Sequence, residues 1–476
     1  MPVPRKLTAA VFLSLLCVGA SVLVLAASTL ASPSQATFFE SPALLTNPLT
    51  RAKTITTLQG LGVRALRIEL SWRAVAPGPN SVRKPSFEAT DPASYHWGEY
   101  DPAIEEAHAK GWKVLLTVTS PVPRWATGNP HGHSAVYKPN ATQFRAFMTA
   151  VGRHYAGTVT LFSIWNEPNH HEFLEPQFNS NGTPASPAIY RNLYRAGYQG
   201  LQAAGIAHPA VLIGETAPEG EAHPRVPVRG SNHNVSPITF MRGVLCLSAG
   251  YSRARSCGKL TATGWGLHPY ASIKGPFHTP VNPETVTIGV LGRMTGALDR
   301  AARAGAISAG LPLYITEFGV ISTPNRQIGV PVATQAEYDA IAERVAYRNP
   351  RVAAFAQYLL RDDVAKRRGA LAFQTGLEYA NGKAKPLYAG FPVPLTVSRS
   401  GGGYSLWGFV RPAGEATALT VEAQRRGSHR FTVLAQVHTD SRGYWTLGSG
   451  VAATSWRVKW TSPEGRVYRG PSIRTS

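Results

Sequence analysis

Two glutamates in this chain stand where apolar runs end. One closes the stretch Ser163-Ile164-Trp165-Asn166-Glu167-Pro168-Asn169, in which Pro168 halts an extended segment and Asn166 flanks the acid. The other closes Leu313-Tyr314-Ile315-Thr316-Glu317-Phe318-Gly319. Two carboxyl groups facing each other across a small gap are the minimum equipment for cleaving an acetal. One protonates the departing oxygen, and the other attacks as a nucleophile or activates water. Either glutamate alone would pass for a surface residue; two in this setting point to catalysis. Glu215 also ends an apolar run but reads more simply as a loop residue. His131-Gly132-His133 invites a metal reading, yet no carboxylate pattern accompanies it, and no metal or other cofactor is expected. His170-His171 either line a cleft or sit in a solvated loop.

Something must hold these acids together. From residue 37 to about 391 short apolar segments alternate with longer helical ones. Strand candidates fall near 36–39, 64–70, 113–118, 160–165, 211–214, 264–268, 312–316 and 353–358. Helices are expected over 101–110, 141–155, 187–204, 287–304 and 334–349, with Asp101 as an N-cap and Pro102 in the first turn. Alternation of this kind means a parallel sheet, and eight units in about 350 residues suit an α/β (β/α)8 barrel. A doubly wound open sheet is the alternative, but no glycine-rich phosphate turn follows the first strand. In a barrel, catalytic groups project from the C-terminal ends of the strands, where Glu167 and Glu317 would sit. Residues 395–476 have a different texture, with short alternating segments at 404–410, 418–424, 430–437, 445–447 and 456–460 and no helical stretch. This reads as a small all-β sandwich.

The chain has 476 residues, 43% of them hydrophobic and 16% charged, which excludes a disordered or fibrous protein. Arg5 and Lys6 precede an apolar run from Leu7 to Ala27 and then small residues, the grammar of a signal peptide over residues 1–36. The run is also long enough to be an uncleaved membrane anchor. Either way the remainder is expected outside the cytoplasm. There Cys246 and Cys257, close in one polar stretch, would form a disulfide instead of remaining free thiols. The formal net charge is +21, and residues 395–476 alone carry ten Arg and one Lys against four acids. Such a surface could meet an anionic cell envelope or acidic glycans; equally it could be a generic arginine-rich surface. Nucleic acid is not expected, because no basic helix or stacking motif accompanies the charge. A monomer is expected.

At the two glutamate motifs the chain resembles the large clan of retaining glycoside hydrolases on (β/α)8 barrels that contains families 5 and 39. In that clan the acid/base follows an Asn at the end of strand 4 and the nucleophile ends strand 7. Here those positions are Glu167, after Asn166, and Glu317. The resemblance extends over roughly residues 37–391. It takes in Arg67 near the end of strand 2, Trp72 and Pro77 beyond it, Pro123-Arg124-Trp125-Ala126 after strand 3, and His268-Pro269-Tyr270 after strand 6. It departs after strand 8, where Gln357-Tyr358-Leu359-Leu360 lacks the Trp that many members use as a floor for the sugar. The resemblance implies that Glu317 attacks the anomeric carbon while Glu167 serves as acid and then base. It implies that Asn166 binds the 2-hydroxyl, and that Arg67 and Tyr270 hold Glu317 ionised, with a pKa below that of Glu167. Against those roles stand plainer ones: an Arg67–Glu69 salt bridge, a core His268, and a Trp125 that packs inside instead of carrying a sugar.

The substrate implied is a carbohydrate, in oligomer or polymer form. Hydrolysis and transfer to a sugar acceptor use the same residues, and a barrel that only binds glycans is the remaining alternative. The C-terminal sandwich resembles bacterial Ig-like appendages and is expected to act as a spacer or attachment module, separable from turnover. Its Trp407, Tyr444, Trp445, Trp456 and Trp460 would form either its core or a glycan-binding face.

Overall fold

The computed structural model describes residues 35–224, 233–271, 273–364, 372–412 and 415–474. Residues 1–34, which hold nearly all of the expected targeting segment, lie outside them. Among the described residues no helix is long and apolar enough to cross a membrane.

Eight parallel strands close a barrel in chain order: β1 (Ala36–Glu40), β2 (Ala65–Ser71), β3 (Lys113–Thr119), β4 (Leu161–Ile164), β5 (Val211–Thr216), β6 (Gly264–Leu267), β7 (Leu313–Ile315) and β8 (Val352–Tyr358). Closure is made by β1 against β8, in a register that sets Ala36 beside Ala354 and Glu40 beside Tyr358. Inside, the lower half is filled by Phe38, Ala65, Leu115, Leu212, Ala354 and Ala356. Small residues alternating with large ones let this interior pack without a pore. Above that plug the inward positions turn polar, with Arg67, Thr117, Ser163 and Glu215 all fully buried. The outward faces of the strands are apolar as well and pack under the helices, which explains why the strands read as continuous hydrophobic runs.

The helix expected from residue 101 does begin there, but Tyr100 holds the cap position. Asp101 turns its carboxylate outward from the cap role, accepting a hydrogen bond from the Tyr155 hydroxyl at 3.0 Å and meeting the His154 ring at 2.9 Å. The disulfide between Cys246 and Cys257 is present and spans Cα atoms 6.2 Å apart. It closes the loop between the helix Pro237–Val244 and β6.

Two antiparallel sheets follow the barrel. One is formed by β9 (Leu395–Ser400), β10 (Gly403–Phe409) and β13 (Tyr444–Ser449). The other is formed by β11 (Ala418–Arg425), β12 (Phe431–His438), β14 (Ala453–Thr461) and the short β15 (Val467–Arg469) and β16 (Ile473–Arg474). Leu406, Trp445, Val421, Trp456 and Trp460 from the two sheets share one core. The glycine run after β9 is a tight turn: Gly401 and Gly402 have φ of +53° and +83°, a region that other residues enter only with strain.

All five aromatic side chains considered for glycan binding are buried, Trp445, Trp456 and Trp460 in the sandwich core and Trp407 and Tyr444 against the barrel. A sugar-binding face made of them is therefore excluded. The sandwich is also no loose appendage. The barrel helix Val332–Tyr347 turns Asp339, Glu343 and Tyr347 toward it. Tyr347 stacks with Tyr444 and Trp407 at centroid distances of 4.2 and 5.4 Å. Arg411, just past β10, is buried and pairs with Glu343 and with the carbonyl of Phe391. On the far side the Tyr468 hydroxyl donates to the carbonyl of Gly60 at 2.5 Å.

Asp339 is the weak point of this interface. Burial, reinforced by Glu343, pushes its carboxyl up to about 8, against a partial pull from Arg411, and its Oδ1 has no hydrogen-bond partner. An acid whose folded value is raised favours the fold while it is protonated. That contribution is complete below the unfolded value near 4 and is lost as pH rises toward 8. Asp339→Asn should therefore raise the melting temperature by a few degrees at pH 8 and change it little at pH 4, measured by thermal denaturation at both pH values.

Candidate active site

The barrel brings five carboxyl groups to its C-terminal mouth around one guanidinium. Arg67 projects inward from β2 and is fully buried. Its Nη1 donates to Glu317 Oε1 at 2.8 Å and also pairs with Glu40, the last residue of β1. Its Nη2 donates to Glu215 Oε2 at 2.7 Å, to Asn166 Oδ1 at 2.8 Å and to Glu69 Oε1 at 3.1 Å. One planar fork thus ties together β1, β2, β5 and the loops after β4 and β7. Arginine suits the role because its rigid donors can satisfy several oxygens at once.

The backbone is bent to deliver these groups. At the end of β4, Trp165 and Glu167 have φ of +74° and +37°. Non-glycine residues in this region cost about 1–3 kcal/mol each and persist only where the surroundings hold them. Here the Trp165 amide donates to Val118 O at 2.9 Å, its indole to Phe173 O at 2.9 Å, and the Asn166 amide to Thr119 Oγ1 at 3.0 Å. The Glu167 amide donates to Glu215 O at 3.0 Å. Asn169 is buried and staples the next loop, its amide group donating to Ala217 O and Val235 O while its oxygen accepts from the Ala217 amide.

On β5 the pairing register with β6 shifts between Ile213 and Thr216, where Gly214 has φ of +104° and Glu215 of +45°. This bulge turns Glu215 into the barrel, where Thr117 Oγ1 donates to its second oxygen at 3.1 Å. The neighbouring Gly266 is obligatory: a Cβ there would lie 2.5 Å from Glu215 Cγ.

Glu317 and Glu167 face each other beneath two residues of the loop after β6. The Tyr270 hydroxyl donates to Glu317 Oε2 at 2.8 Å. The His268 Nδ1 lies 2.9 Å from Glu167 Oε1 and 3.6 Å from Glu317 Oε1, while its Nε2 meets Thr316 Oγ1 at 3.0 Å. One oxygen of each glutamate and a ring nitrogen of His268 all lie within 4.8 Å of one another. The only other group of metal-ligand type among the described residues, Glu40, Glu69 and Glu317, belongs to the same cluster. His131 and His133 belong to neither.

Burial pushes Glu167 above the ordinary carboxylate range, with His268 pulling it partly back. Burial raises Glu317 too, against the opposing pull of Arg67 and the Tyr270 hydrogen bond. Both acids are therefore raised: Arg67 and Tyr270 pull Glu317 down as expected, but burial outweighs them. Burial raises Glu40 well above its usual value and Glu69 to about 7, in both cases with Arg67 opposing. For Arg67 itself burial disfavours the charge, but Glu215, Glu40 and Glu317 outweigh it and hold the group well above its ordinary value.

Of the residues singled out from sequence, Arg67, Asn166, Glu167, His268, Tyr270 and Glu317 converge in this cluster. The Arg67–Glu69 salt bridge is also there, alongside the contact with Glu317. Trp125 is not part of the cluster. It is 9% exposed, packs edge-on to Trp72 at 5.9 Å and bonds Pro77 O at 3.2 Å, which makes it a core residue without an open ring face for a sugar. Glu215, read as a loop residue, is fully buried and central. Glu40 was not anticipated. At the place of the missing Trp after β8, Tyr358 stands edge-on to Phe373 at 5.5 Å, and Phe373 in turn lies 5.8 Å from Tyr270.

No family model matches the sequence, and no curated protein matches it. Solved structures do. A family 39 glycoside hydrolase from the gut symbiont Bacteroides cellulosilyticus WH2 shares 14% identity over 87% of this chain and 80% of its own, with a TM-score of 0.51. A glucosidase from Croceicoccus marinus shares 11% identity over 94% of this chain and 97% of its own, with a TM-score of 0.52. This chain has the fold of those glycoside hydrolases. At such identities the likeness speaks for the architecture, a barrel followed by β-sheets.

Removing Arg67 leaves four partner carboxyl groups without their shared cation. Arg67→Met should lower unfolding free energy by about 3–5 kcal/mol in urea titrations at pH 8, the usual consequence of stripping one partner from a buried charge network. The deficit should shrink at pH 5, where the raised carboxyl groups take up protons.

Proposed function

We propose that this chain is a retaining glycoside hydrolase that cleaves O-glycosidic bonds of an oligo- or polysaccharide, with Glu317 as nucleophile and Glu167 as acid/base. The approach of one carboxyl oxygen of each to within 4.8 Å, which sets the two groups at short range across the mouth, carries the reading. Retaining enzymes keep these groups ~5–5.5 Å apart, whereas inverting enzymes need ~6.5–9.5 Å to admit a water. That both fold relatives named above are glycoside hydrolases supports it further.

In the first step a Glu317 oxygen attacks the anomeric carbon while the Glu167 proton passes to the leaving oxygen, and the glycosidic bond breaks. In the second, water attacks the same carbon, Glu167 takes its proton, and the bond to Glu317 is released. Arg67 and Tyr270 aim Glu317 by their hydrogen bonds, and the mechanism requires Glu317 ionised. Asn166 has its oxygen committed to Arg67, so its amide nitrogen is left to donate to the 2-hydroxyl. A sugar hydroxyl could replace water in the second step, making the enzyme a transglycosylase. The N-terminal sequence and the disulfide support action outside the cytoplasm, and the basic sandwich supports contact with an anionic envelope.

Hydrolysis of a panel of aryl glycosides tests the assignment. Glu167→Gln and Glu317→Gln should each lose roughly 100–10,000-fold or more in turnover. Azide should restore Glu317→Gly and yield a glycosyl azide of inverted configuration; a wild type inert toward every glycoside would count against the enzyme reading. Activity needs Glu317 ionised and Glu167 protonated, so kcat/KM should rise through the first ionisation and fall through the second. Because burial raises both groups, the rising limb should lie above the ordinary glutamate value of about 4.3. A pH–rate profile measured between pH 3 and 9 checks this.

A further inference from the structure

The cluster at the barrel mouth is rich in acids. Arg67 spends Nη1 on Glu40 and Glu317, and Nη2 on Glu69, Asn166 and Glu215. Glu40 Oε1 and Arg67 Nε are buried without partners, and one oxygen each of Glu40, Glu69 and Glu317 crowd within 4.8 Å of one another, so carboxyl oxygens outnumber the basic groups. Among the described residues, Arg67 and His268 are the only basic side chains paired with these acids. A ligand that completes such a site brings donors and adds no negative charge. Sugar hydroxyls meet both conditions, and the carboxylate of a uronic acid meets neither.

Within the cluster Glu69 is the acid that cleavage does not use and that a ligand can reach. Its side chain is 24% exposed, whereas Glu40 and Glu215 are fully enclosed. Glu69 and Asn166 accept hydrogen bonds from the same nitrogen of Arg67, at 3.1 and 2.8 Å, so they stand side by side on the floor of the mouth. With Asn166 at the 2-hydroxyl, the next substituent around the ring is the 3-hydroxyl. We propose that Glu69 accepts a hydrogen bond from the 3-hydroxyl of the reacting sugar and makes the site specific for an uncharged ring, excluding uronic acids. This rests on the glycosidase reading above. It separates two properties that the basic sequence had run together: the protein surface is positive, but the place where the reacting ring sits is rich in acids.

The test compares four aryl glycosides of the configuration that wild type hydrolyses best: the parent, its 3-deoxy and 4-deoxy analogues, and the corresponding uronide. Each is assayed with wild type, Glu69→Gln and Glu69→Ala. In wild type, removing the 3-hydroxyl should lower kcat/KM roughly ten- to a hundredfold, the range for a hydrogen bond to a charged group. In Glu69→Ala the same deletion should cost almost nothing, while the 4-deoxy deletion costs as much as in wild type. Glu69→Gln, which keeps an acceptor oxygen, should retain most of the discrimination, and the uronide should not be turned over by wild type. The proposal is overturned if the 3-deoxy penalty is the same with and without Glu69, or if the uronide is the better substrate. If Glu69→Ala does not fold, Glu69→Leu, which keeps the side-chain bulk without an acceptor, takes its place with the same expected loss of the 3-deoxy penalty, and the wild-type uronide comparison still tests the exclusion of charge. Turnover with the wrong pattern defeats this specificity alone, whereas no turnover of any glycoside defeats the glycosidase reading beneath it.

Discussion

One buried guanidinium organises the catalytic end of this protein. A charge taken out of water is tolerated only when its surroundings return what hydration supplied, and Arg67 is repaid by oxygens from five separate segments of the barrel. The exchange works in both directions. Each of those oxygens is held by a chain segment that would otherwise have no reason to end where it does. Because Arg67 stands on β2, above a plug of alanine and leucine side chains, its position is set by packing, and the positions of the acids follow from it. The orientation of Glu317 and of Asn166 is thus a consequence of barrel closure.

The geometry also explains where strain has been placed. Positive φ angles at Trp165, Glu167 and Glu215 fall on the two strand ends that must turn a side chain inward, and each residue is held by hydrogen bonds to neighbouring segments. The Glu167 amide bound to the Glu215 carbonyl links these two departures. Glu167 is held by the residue whose own carboxylate anchors the arginine, so a change at the β5 bulge should be felt at Glu167 through the backbone.

Much of this could be read in the chain itself. Apolar runs that stop at Glu167 and Glu317 are local signals, and so is the alternation that counts out eight strands. What escaped was non-local. Glu40 lies 27 positions before its partner, and nothing in Phe38-Phe39-Glu40-Ser41 marks it as buried. Glu215 ends an apolar run as Glu167 and Glu317 do, and that shared pattern is the available clue. Its inward turn depends on a bulge at Gly214, which no periodicity reports. Trp125 misled because an aromatic residue after a strand is equally apt for a sugar or a core. Leu395-Thr396-Val397-Ser398 is short and half polar, with no strand signal of its own, and takes its order from β10 and from the barrel helix behind it.

The pairing of β1 with β8 joins residues some 300 positions apart, and the contact of Gly60 with Tyr468 ties the front of the barrel to the last strands of the sandwich. In a chain made from its N-terminus, one edge of the first strand is met early by β2, but the other has no partner until nearly three-quarters of the length exists. Such a chain has no cover for the helix Val332–Tyr347 until the sandwich has followed. Contacts this remote in sequence make folding slow and collective, because loop closure must precede its reward. The same topology keeps the barrel of a partial chain unclosed until β8 has been made.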